Sequence, residues 1–386
     1  MIDHLACILS HKQWIIFNSI NTSCNTTFSL IRKKSSSVPQ NFASMAQLCY
    51  FITVVSLLLF LQSDSYAEAG TIGVNYGRLG DNLPPSTQVV ALLKSRNINR
   101  LRLFDPNLDA LDALQGSGIE VVLGTLNQDL PQLAADLSFA RSWVSTNVIP
   151  YSQNVRFRYI SAGNEVIPGN LAAYVFPAMQ NLDQALREAQ LPYSIPVSTS
   201  FSTAVLGTSY PPSQGEFSMD IDPIMRSITE FLAANGSPFL VNVYPYFSYI
   251  NDPVNVPLDY ALFNSSRVVV RDGELEYKNL FDAIADATYT ALEKAGGASV
   301  KVVVTESGWP SNENGQIATI ENARMYNNNL VAHLSGAKGT PKKPGESIEA
   351  YVFAIFNEDL KPRGTEQNFG LYYPNMTEVY HVEFIN

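Results

Sequence analysis

The chain has 386 residues, of which 46% are hydrophobic and 16% charged, and its formal net charge is −10. This acidic balance argues against a nucleic-acid interface, which needs a basic face, and against docking on an anionic membrane. All three cysteines (Cys7, Cys24, Cys49) precede residue 50, and only His333 and His381 follow it. Beyond residue 50 this excludes a cysteine nucleophile, a disulfide scaffold and a three-histidine zinc site. We therefore predict no metal and no other cofactor.

The N-terminal segment has the pattern of a secretory signal. Leu48–Leu61 is an apolar run of 14 residues, which is short for a membrane span of about 20 residues but typical of a signal-peptide core. Small residues in Ser65-Tyr66-Ala67 form a cleavage pattern, and Met45 would start a signal of normal proportions. We predict an extension and signal peptide over residues 1–69 (signal 45–67 or 45–69) and one folded domain over residues 70–386. A membrane anchor is the alternative, which the short run disfavours.

Eight apolar runs rich in β-branched residues alternate with segments of helical periodicity. The runs are near-continuous, which is typical of parallel strands buried on both faces. They predict strands over Thr71–Gly77, Asn99–Asp105, Glu120–Asn127, Arg156–Glu165, Ile195–Phe201, Pro238–Tyr246, Lys301–Ser307 and Ile348–Asn357. Helices are predicted over Asp109–Leu114 and over Thr87–Ser95, Leu133–Thr146, Ala172–Ala189, Ile224–Ala234, Leu280–Lys294 and Ile320–Leu334.

Eight strand–helix units in a chain of this length predict an α/β fold, a single (β/α)8 TIM barrel. A doubly wound open sheet is the alternative, but it usually has fewer strands and no Gly-x-Gly-x-x-Gly opens a helix here. Phe247–Lys278, with Pro253 and Pro257, interrupts the alternation and is predicted as a small insertion after strand 6, with a short strand at Arg267–Arg271. Such insertions lie on the C-terminal face of a barrel, where sites form.

Polar and aromatic residues follow the predicted strands where a barrel carries its chemistry. They are Tyr76, Asp105, Asn127, Asn164, Glu165, Thr199, Ser200, Asn242, Tyr244, Glu306 and Glu358. Hydroxyls, amides, carboxylates and aromatic rings together suit a neutral polyhydroxylated ligand such as a sugar.

Glu165 and Glu306 end strands 4 and 7, which face each other across an eight-stranded ring. Glycoside hydrolysis needs two carboxyl groups, one to protonate the leaving oxygen and one to attack the anomeric carbon or activate water. Asn164 could hydrogen-bond the sugar 2-hydroxyl. The structural alternatives are that each Glu caps a strand or pairs with a cation, and that Asn164 serves a turn after Gly163.

Three charged residues are further candidates. Glu358 and Lys361 could form an ion pair that orients Glu306 or binds sugar hydroxyls; a solvated charge run is the alternative. Arg102, in the middle of strand 2, is expected to point inward and to need a partner, either a site carboxylate or a purely structural one. Among the aromatic residues near strand ends, we predict stacking contacts for Tyr76, Tyr244 and Trp309, with Phe356 and Phe369 as weaker candidates.

Several segments carry a family resemblance along the whole of residues 70–386. They read GTIGVNYGRLGDNLPP, RLRLFDPN, VVLGTLNQDL, RYISAGNEV, VNVYPYF, VVVTESGWPS, AYVFAIFNEDLKP and EQNFGLYYPN. The chain resembles the plant β-1,3-glucanases of glycoside hydrolase family 17. The combination of TESGWPS with GNE is the most specific part, and Asn75 stands where many relatives have Cys.

The resemblance implies a (β/α)8 barrel that cleaves internal bonds of 1,3-β-glucans, such as callose and fungal wall glucan, with retention. It places the proton donor on Glu165 and the nucleophile on Glu306. It also places Tyr76, Asn164, Trp309, Glu358 and Lys361 in or near the groove. The family is linked to plant defence and callose turnover, and an acidic form without a C-terminal extension is similar to the extracellular type rather than the vacuolar one.

Rival functions remain open from the sequence. A β-1,3-glucan transglycosylase would use the same residues, and a catalytically silent glucan-binding wall protein would bind without releasing reducing ends. A structural wall protein would leave the strand-end polar set without a purpose. We expect a secreted monomer with no stable membrane anchor and with N-glycans at the sequons of Asn235, Asn264 and Asn375.

Overall fold

The structure, a computed structural model, describes residues 72–336 and 338–384. The predicted extension and signal peptide (1–69, signal 45–67 or 45–69) lie outside the described residues, so that domain division stays a prediction. Within the described part, eight parallel strands close into one barrel in which the first strand pairs with the eighth. The predicted (β/α)8 TIM barrel is confirmed, and the open doubly wound alternative is wrong.

The barrel strands are short and almost wholly buried, as their apolar runs require. In chain order they are β1 (Ile72–Tyr76), β2 (Arg100–Leu103), β3 (Glu120–Gly124), β4 (Arg156–Asn164), β5 (Val197–Ser202), β6 (Phe239–Asn242), β7 (Val302–Ser307) and β8 (Glu349–Val352). The helices are α1 (Ser86–Ser95), α2 (Leu108–Leu114), α3 (Leu130–Ala135), α4 (Leu137–Asn147), α5 (Ala172–Glu188), α6 (Asp222–Asn235), α7 (Pro245–Asn251), α8 (Leu258–Ala261), α9 (Leu280–Lys294) and α10 (Ile320–Ser335).

Several predicted elements have different bounds in the structure. The single helix predicted over Leu133–Thr146 is two helices, because the Asp136 side chain accepts a hydrogen bond from the Ser138 amide and starts a new helix there. The predicted sixth strand ends early, at Asn242, since Pro245 opens α7. The predicted third and eighth strands also end early, at Gly124 and Val352. The described chain after β8 has only a 3₁₀ turn at Thr365–Gln367 where an eighth helix was expected.

Two hairpins decorate the barrel beside the helices. The predicted insertion after β6 contains α7, α8 and a hairpin of Val270–Asp272 with Leu275–Tyr277, so its short strands lie slightly further along the chain than expected. A second hairpin, Leu206–Thr208 with Glu216–Phe217, follows β5 and was not predicted. Over the described residues, no helix combines the length and the apolar character that crossing a bilayer would need.

The interior of the barrel contains an apolar layer, and the side chains between this layer and the C-terminal strand ends are polar. Val122 of β3, Leu240 of β6, Val303 of β7 and Tyr351 of β8 form a separate buried cluster. Because β3 and β7 are not neighbours in the barrel, these side chains meet through its interior. Beyond this layer, towards the C-terminal strand ends, the inward side chains become polar, and the strand register brings Glu306 beside Asn242.

Candidate active site

Glu165 and Glu306 face each other across the barrel mouth, and both accept hydrogen bonds from the side chain of Asn242. The Asn242 amide nitrogen donates to Oε1 of Glu165 at 2.8 Å and to Oε1 of Glu306 at 2.9 Å. Because both distances are measured from the same nitrogen, the two Oε1 atoms can be at most about 5.7 Å apart. The structure therefore brings together the two carboxyl groups that the sequence placed on opposite strands.

The backbone at the end of β4 turns sharply to present Glu165. Gly163 has φ of 76° and Glu165 has φ of 54°, so a non-glycine residue occupies the left-handed region that L residues rarely adopt. The Glu165 amide donates to the Ser200 carbonyl at 2.8 Å, which ties the turn to β5. Such local strain is characteristic of residues held for a function.

Glu306 is enclosed by hydrogen-bond donors. It is 6% exposed, and its Oε1 accepts from Arg102 at 2.5 Å as well as from Asn242. Its Oε2 accepts from the Tyr244 hydroxyl at 2.7 Å. A buried carboxylate is tolerated when it is paired and hydrogen-bonded, and this one has three donors.

Arg102 points inward, and its partners belong to the site. Besides Glu306, its guanidinium donates to the Asn164 side-chain oxygen at 2.7 Å and lies 4.4 Å from the centre of the Phe104 ring. Asn75 anchors the same region, because its amide donates to the Thr305 carbonyl at 3.0 Å and its oxygen lies 3.4 Å from Arg102. Of the two sequence alternatives for Arg102, the structure has the site carboxylate as its partner.

Asn164 is oriented by neighbours on both its backbone and its side chain. Asn127 accepts from the Asn164 amide at 2.8 Å and donates to its carbonyl at 2.9 Å. The Asn164 side-chain oxygen accepts from Arg102 and, at 3.2 Å, from Asn242. Its side-chain oxygen is therefore engaged within the protein, which leaves the NH₂ group as the donor for a ligand.

The two carboxyl groups have different electrostatic surroundings. The Glu165 side chain is open to solvent on the cavity side, yet the surrounding protein partly desolvates it, and this raises its pKa; the negative charge of Glu306 raises it further. Hydrogen bonding from Asn242 and the charge of Arg102 oppose this rise. Arg102 itself lies against Glu306. The arrangement favours a proton on Glu165 and places a cation against Glu306.

A cavity of about 700 Å³ opens over the pair. Four of the residues predicted for the site line it, namely Asn164, Tyr244, Glu358 and Lys361, and so do Phe104, Phe247, Phe353, Glu366 and Phe369. The lining combines aromatic surface with a few polar groups, which is typical of ligand sites. Within the described residues, no group of three or more His, Cys, Asp or Glu side chains could hold a metal ion.

Glu358 and Lys361 lie at the edge of this cavity and contact each other. Lys361 Nζ is 3.5 Å from Glu358 Oε2 and 4.1 Å from the centre of the Phe353 ring. Glu358 Oε1 accepts from the Leu79 amide at 2.9 Å. Glu358 therefore joins the loop after β1 to the loop after β8. In the described part of the chain, no hydrogen bond joins it to Glu306.

Tyr76 and Trp309 do not line the central cavity. Tyr76 is 3% exposed and borders a neighbouring cavity of about 590 Å³; Arg78 lines both cavities. Trp309 is 0% exposed and donates its indole N–H to the Ile317 carbonyl at 2.9 Å. The prediction that Trp309 stacks on a sugar is corrected: its ring packs against Tyr246 in the core. Phe356 is likewise buried outside the central cavity.

Sequence reasoning missed residues that position the carboxyl groups. Asn242 was recognised only as a strand-end polar residue, and Thr305, whose hydroxyl donates to the Asn242 oxygen at 2.9 Å, was not singled out. A signal existed, because Thr305 is a polar residue inside the apolar run VVVTES. Asn127, three residues after β3, was named as a strand-end polar residue, but its contacts with Asn164 were not foreseen.

Known proteins match this chain over nearly all of its described residues. Residues 72–384 match the family described as glycosyl hydrolases family 17. A Hordeum vulgare protein provisionally named glucan endo-1,3-beta-glucosidase GVI is 56% identical over 315 residues, covering 81% of this chain and 97% of that protein. A glucan endo-1,3-beta-glucosidase of Vitis vinifera is 51% identical over 339 residues, covering 86% and 97%.

A solved structure of a plant protein also resembles this chain in both sequence and fold. It is a plant beta-glucan endohydrolase, reported as one of two with distinct substrate specificities. It is 47% identical to this chain, superposes with a TM-score of 0.78, and the match covers 81% of this chain and all of that one. The chain belongs to glycoside hydrolase family 17.

Proposed function

We propose that the protein is an endo-acting glycoside hydrolase that cleaves internal 1,3-β-glucosidic bonds with retention of configuration. One observation carries the chemistry: a single amide bridges two carboxyl groups whose Oε1 atoms lie within about 5.7 Å of each other. Retaining glycosidases hold their carboxyl groups about 5–5.5 Å apart, whereas inverting ones need roughly 6.5–9.5 Å to admit a water molecule. The names of the barley and grapevine relatives support the 1,3-β-glucan substrate.

In the first step, Glu306 Oε2 attacks the anomeric carbon as the glycosidic C–O bond breaks. The electron pair of that bond goes to the leaving oxygen, which takes the proton from Glu165. The raised pKa of Glu165 keeps that proton available. The NH₂ group of Asn164 can donate to the 2-hydroxyl of the reacting sugar, a contact that strengthens in an oxocarbenium-like transition state.

In the second step, water displaces the sugar from Glu306. Glu165, now a carboxylate, takes a proton from this water, whose oxygen bonds to the anomeric carbon as the ester bond to Glu306 breaks. The charge of Glu306 returns against Arg102, 2.5 Å away. Glu165 regains its proton in this step, so the enzyme ends as it began.

Two variants separate the roles of the two carboxyl groups. Glu306→Gln should abolish release of reducing ends from laminarin, with a loss of about 10⁴-fold or more, while keeping glucan binding, because the nucleophile acts mainly in the transition state. Glu165→Gln should retain glycosylation by aryl glucosides with good leaving groups, which need no acid. Equal loss by both variants on such substrates would contradict the assignment of roles.

The same assay decides between the rivals. The secreted protein is incubated with laminarin, cellulose and mixed-linkage glucan, and products are separated by chain length. Internal cleavage of laminarin alone supports the proposal. Products longer than the starting oligosaccharides would indicate transglycosylation, and binding without any products would indicate a silent glucan-binding protein.

We also propose that the protein is secreted as a monomer to the cell wall, where callose or fungal wall glucan would be its substrate. The N-terminal apolar pattern supports this proposal, and so does the exposure of Asn264 and Asn375. Asn235 is the last residue of α6, and its side-chain nitrogen donates to the Phe231 carbonyl, so it is the weakest of the three glycan sites. N-terminal sequencing of the exported protein should find a start after residue 67 or 69, and peptide mapping should locate the glycans.

A further inference from the structure

We propose that Asn242 is a positioning residue that decides which oxygen of each carboxyl group is free to react. This inference rests on the hydrolase function proposed above. Asn242 is the last residue of β6, it is 2% exposed, and its NH₂ group lies within hydrogen-bond distance of Glu165, Glu306 and the Asn164 side-chain oxygen.

A hydrogen bond to the Asn242 side-chain oxygen, on the side away from the two carboxyl groups, sets the orientation of the amide. The Thr305 hydroxyl donates to the Asn242 oxygen at 2.9 Å, and Thr305 is 0% exposed. With its oxygen held on that side, the amide can present only N–H groups to the carboxyl pair. Ionised carboxylates are acceptors only, so the reverse orientation would set the Asn242 oxygen against the carboxylate oxygens.

This orientation assigns the oxygens. Oε1 of Glu165 accepts a hydrogen bond from the Asn242 N–H, and an O–H group on that oxygen would find no acceptor there. The acidic proton therefore belongs on Oε2, the oxygen available to a leaving group. Oε1 of Glu306 accepts from both Arg102 and Asn242. Among the described residues, Oε2 of Glu306 has one hydrogen-bond donor, Tyr244, and therefore keeps a lone pair for the bond to the anomeric carbon.

The same contact suits both protonation states of Glu165. Desolvation raises the pKa of Glu165, and Glu306 and Glu366 raise it further, while Asn242 and Arg102 lower it. Glu358 and Lys361 also line the cavity. Once Glu306 is esterified, its negative charge is gone and no longer raises the pKa of Glu165. The Asn242 N–H then stabilises the Glu165 carboxylate that acts as the base. The bridge thus serves an acid in the first step and a base in the second.

The test is the pH profile of Asn242→Ala. The basic limb of kcat/KM reports loss of the proton from Glu165 in the free enzyme. Without the N–H donor the ionised form loses stabilisation, so this limb should move to higher pH by about 0.5 unit or more. Activity at the optimum should fall about 10- to 100-fold, with most of the loss in kcat.

A matched control isolates the effect of losing a buried asparagine. Asn327 of α10 is 0% exposed, and its side chain donates to the Tyr380 hydroxyl at 2.8 Å. Asn327→Ala should lower Tm but leave both limbs of the pH profile in place. If Asn242→Ala fails to fold, Thr305→Val, which keeps the shape of the residue and removes only the hydroxyl, should move the basic limb in the same direction by less.

If Asn242→Ala and Thr305→Val lost activity while the limbs of their kcat/KM pH profiles stayed where they are in the wild type, Asn242 would be merely structural. That result would overturn the proposal. Failure of the proposed hydrolase function is recognised separately, because the wild-type protein would then release no reducing ends from laminarin. In that case ¹³C NMR titration of the Glu165 carboxyl group still tests Asn242: its pKa should be higher in Asn242→Ala than in the wild type, and equal values would refute the contact's role.

Discussion

Tyr244 shows how one hydroxyl can tune the nucleophile. Its O–H donates to Glu306 Oε2 at 2.7 Å, and burial together with the negative charge of Glu306 raises the pKa of Tyr244 well above that of a free phenol. The hydroxyl therefore stays protonated, and remains a donor, above the pH at which a free phenol ionises. Its ring packs edge-on against Phe247 and Phe369, so the ring would keep its place without the hydroxyl.

Tyr244→Phe should therefore lower kcat about 10-fold or more, with little change in Tm, because the hydrogen bond is lost while the packing is kept. Stopped-flow and steady-state kinetics on an aryl laminaribioside, together with thermal melts, measure both effects. An unchanged kcat would mean that Arg102 and Asn242 alone suffice to position Glu306.

Arg102 makes a different contribution at the same scale. It is 1% exposed and paired with Glu306 at 2.5 Å. Removing one member of a buried pair leaves the other charge uncompensated, which typically costs about 3–5 kcal/mol. Arg102→Met should thus lose stability as well as activity. Adding Glu306→Gln to Arg102→Met should restore much of the stability, and urea unfolding of the single and double variants measures this recovery.

At the scale of elements, α9 is attached to the loop before β8 through one carboxyl group. Asp286 is fully buried; its side chain accepts from the Thr340 hydroxyl, the Lys342 amide and the Tyr277 hydroxyl. Desolvation raises the pKa of Asp286 to about 6, although the hydrogen bonds oppose the rise. The folded state therefore takes up this proton at higher pH than the unfolded chain does.

The sign of the resulting pH dependence follows. A raised folded-state pKa means that this group favours folding more at low pH, and that the advantage is lost as pH rises from about 4 to 6. Asp286→Asn keeps the shape, since its oxygen can accept from Lys342 and Tyr277 while its NH₂ donates to Thr340. The unfolding free energy of the variant minus that of the wild type should thus increase from pH 4 to pH 7, because only the wild type loses stability from this group as pH rises. Urea melts across that range measure it, with Asp220→Asn at an exposed position as the control; a flat difference would refute the argument.

The elements that sequence could predict are those with local causes. The bounds of α9, Leu280–Lys294, agree with the prediction because the apolar period and the Asn279 cap are both local signals. The break at Asp136 was missed because one helical period runs through it. At the site, strand-end position was enough to select Glu165 and Glu306. The Asn242 bridge and the burial of Trp309 depend on contacts between strands and loops distant in sequence, which no local pattern contains.

At the scale of the whole molecule, the two ends of the barrel carry charges for different purposes. At the N-terminal end, opposite the site, Arg158 of β4 pairs with Glu349 of β8 at 2.6 Å and with Glu120 of β3 at 3.0 Å. Arg100 of β2 lies 2.9 Å from Glu120 and 3.4 Å from Glu349. These pairs join strands across the barrel interior, and in this fold that end supports stability rather than catalysis.

Glu349→Gln tests this division of labour. The substitution keeps the volume but removes the charge that Arg158 faces, so we expect a loss of about 3 kcal/mol or more and a fall in Tm of roughly 5–10 °C. At temperatures where the variant stays folded, kcat and KM should equal those of the wild type, because the cavity at the opposite end is untouched. Glu188→Gln is the control: its pair with Arg141 is 41–50% exposed, and such pairs contribute about 1 kcal/mol or less. If Glu349→Gln changed kcat while fully folded, the two ends of the barrel would be coupled and this separation would be wrong.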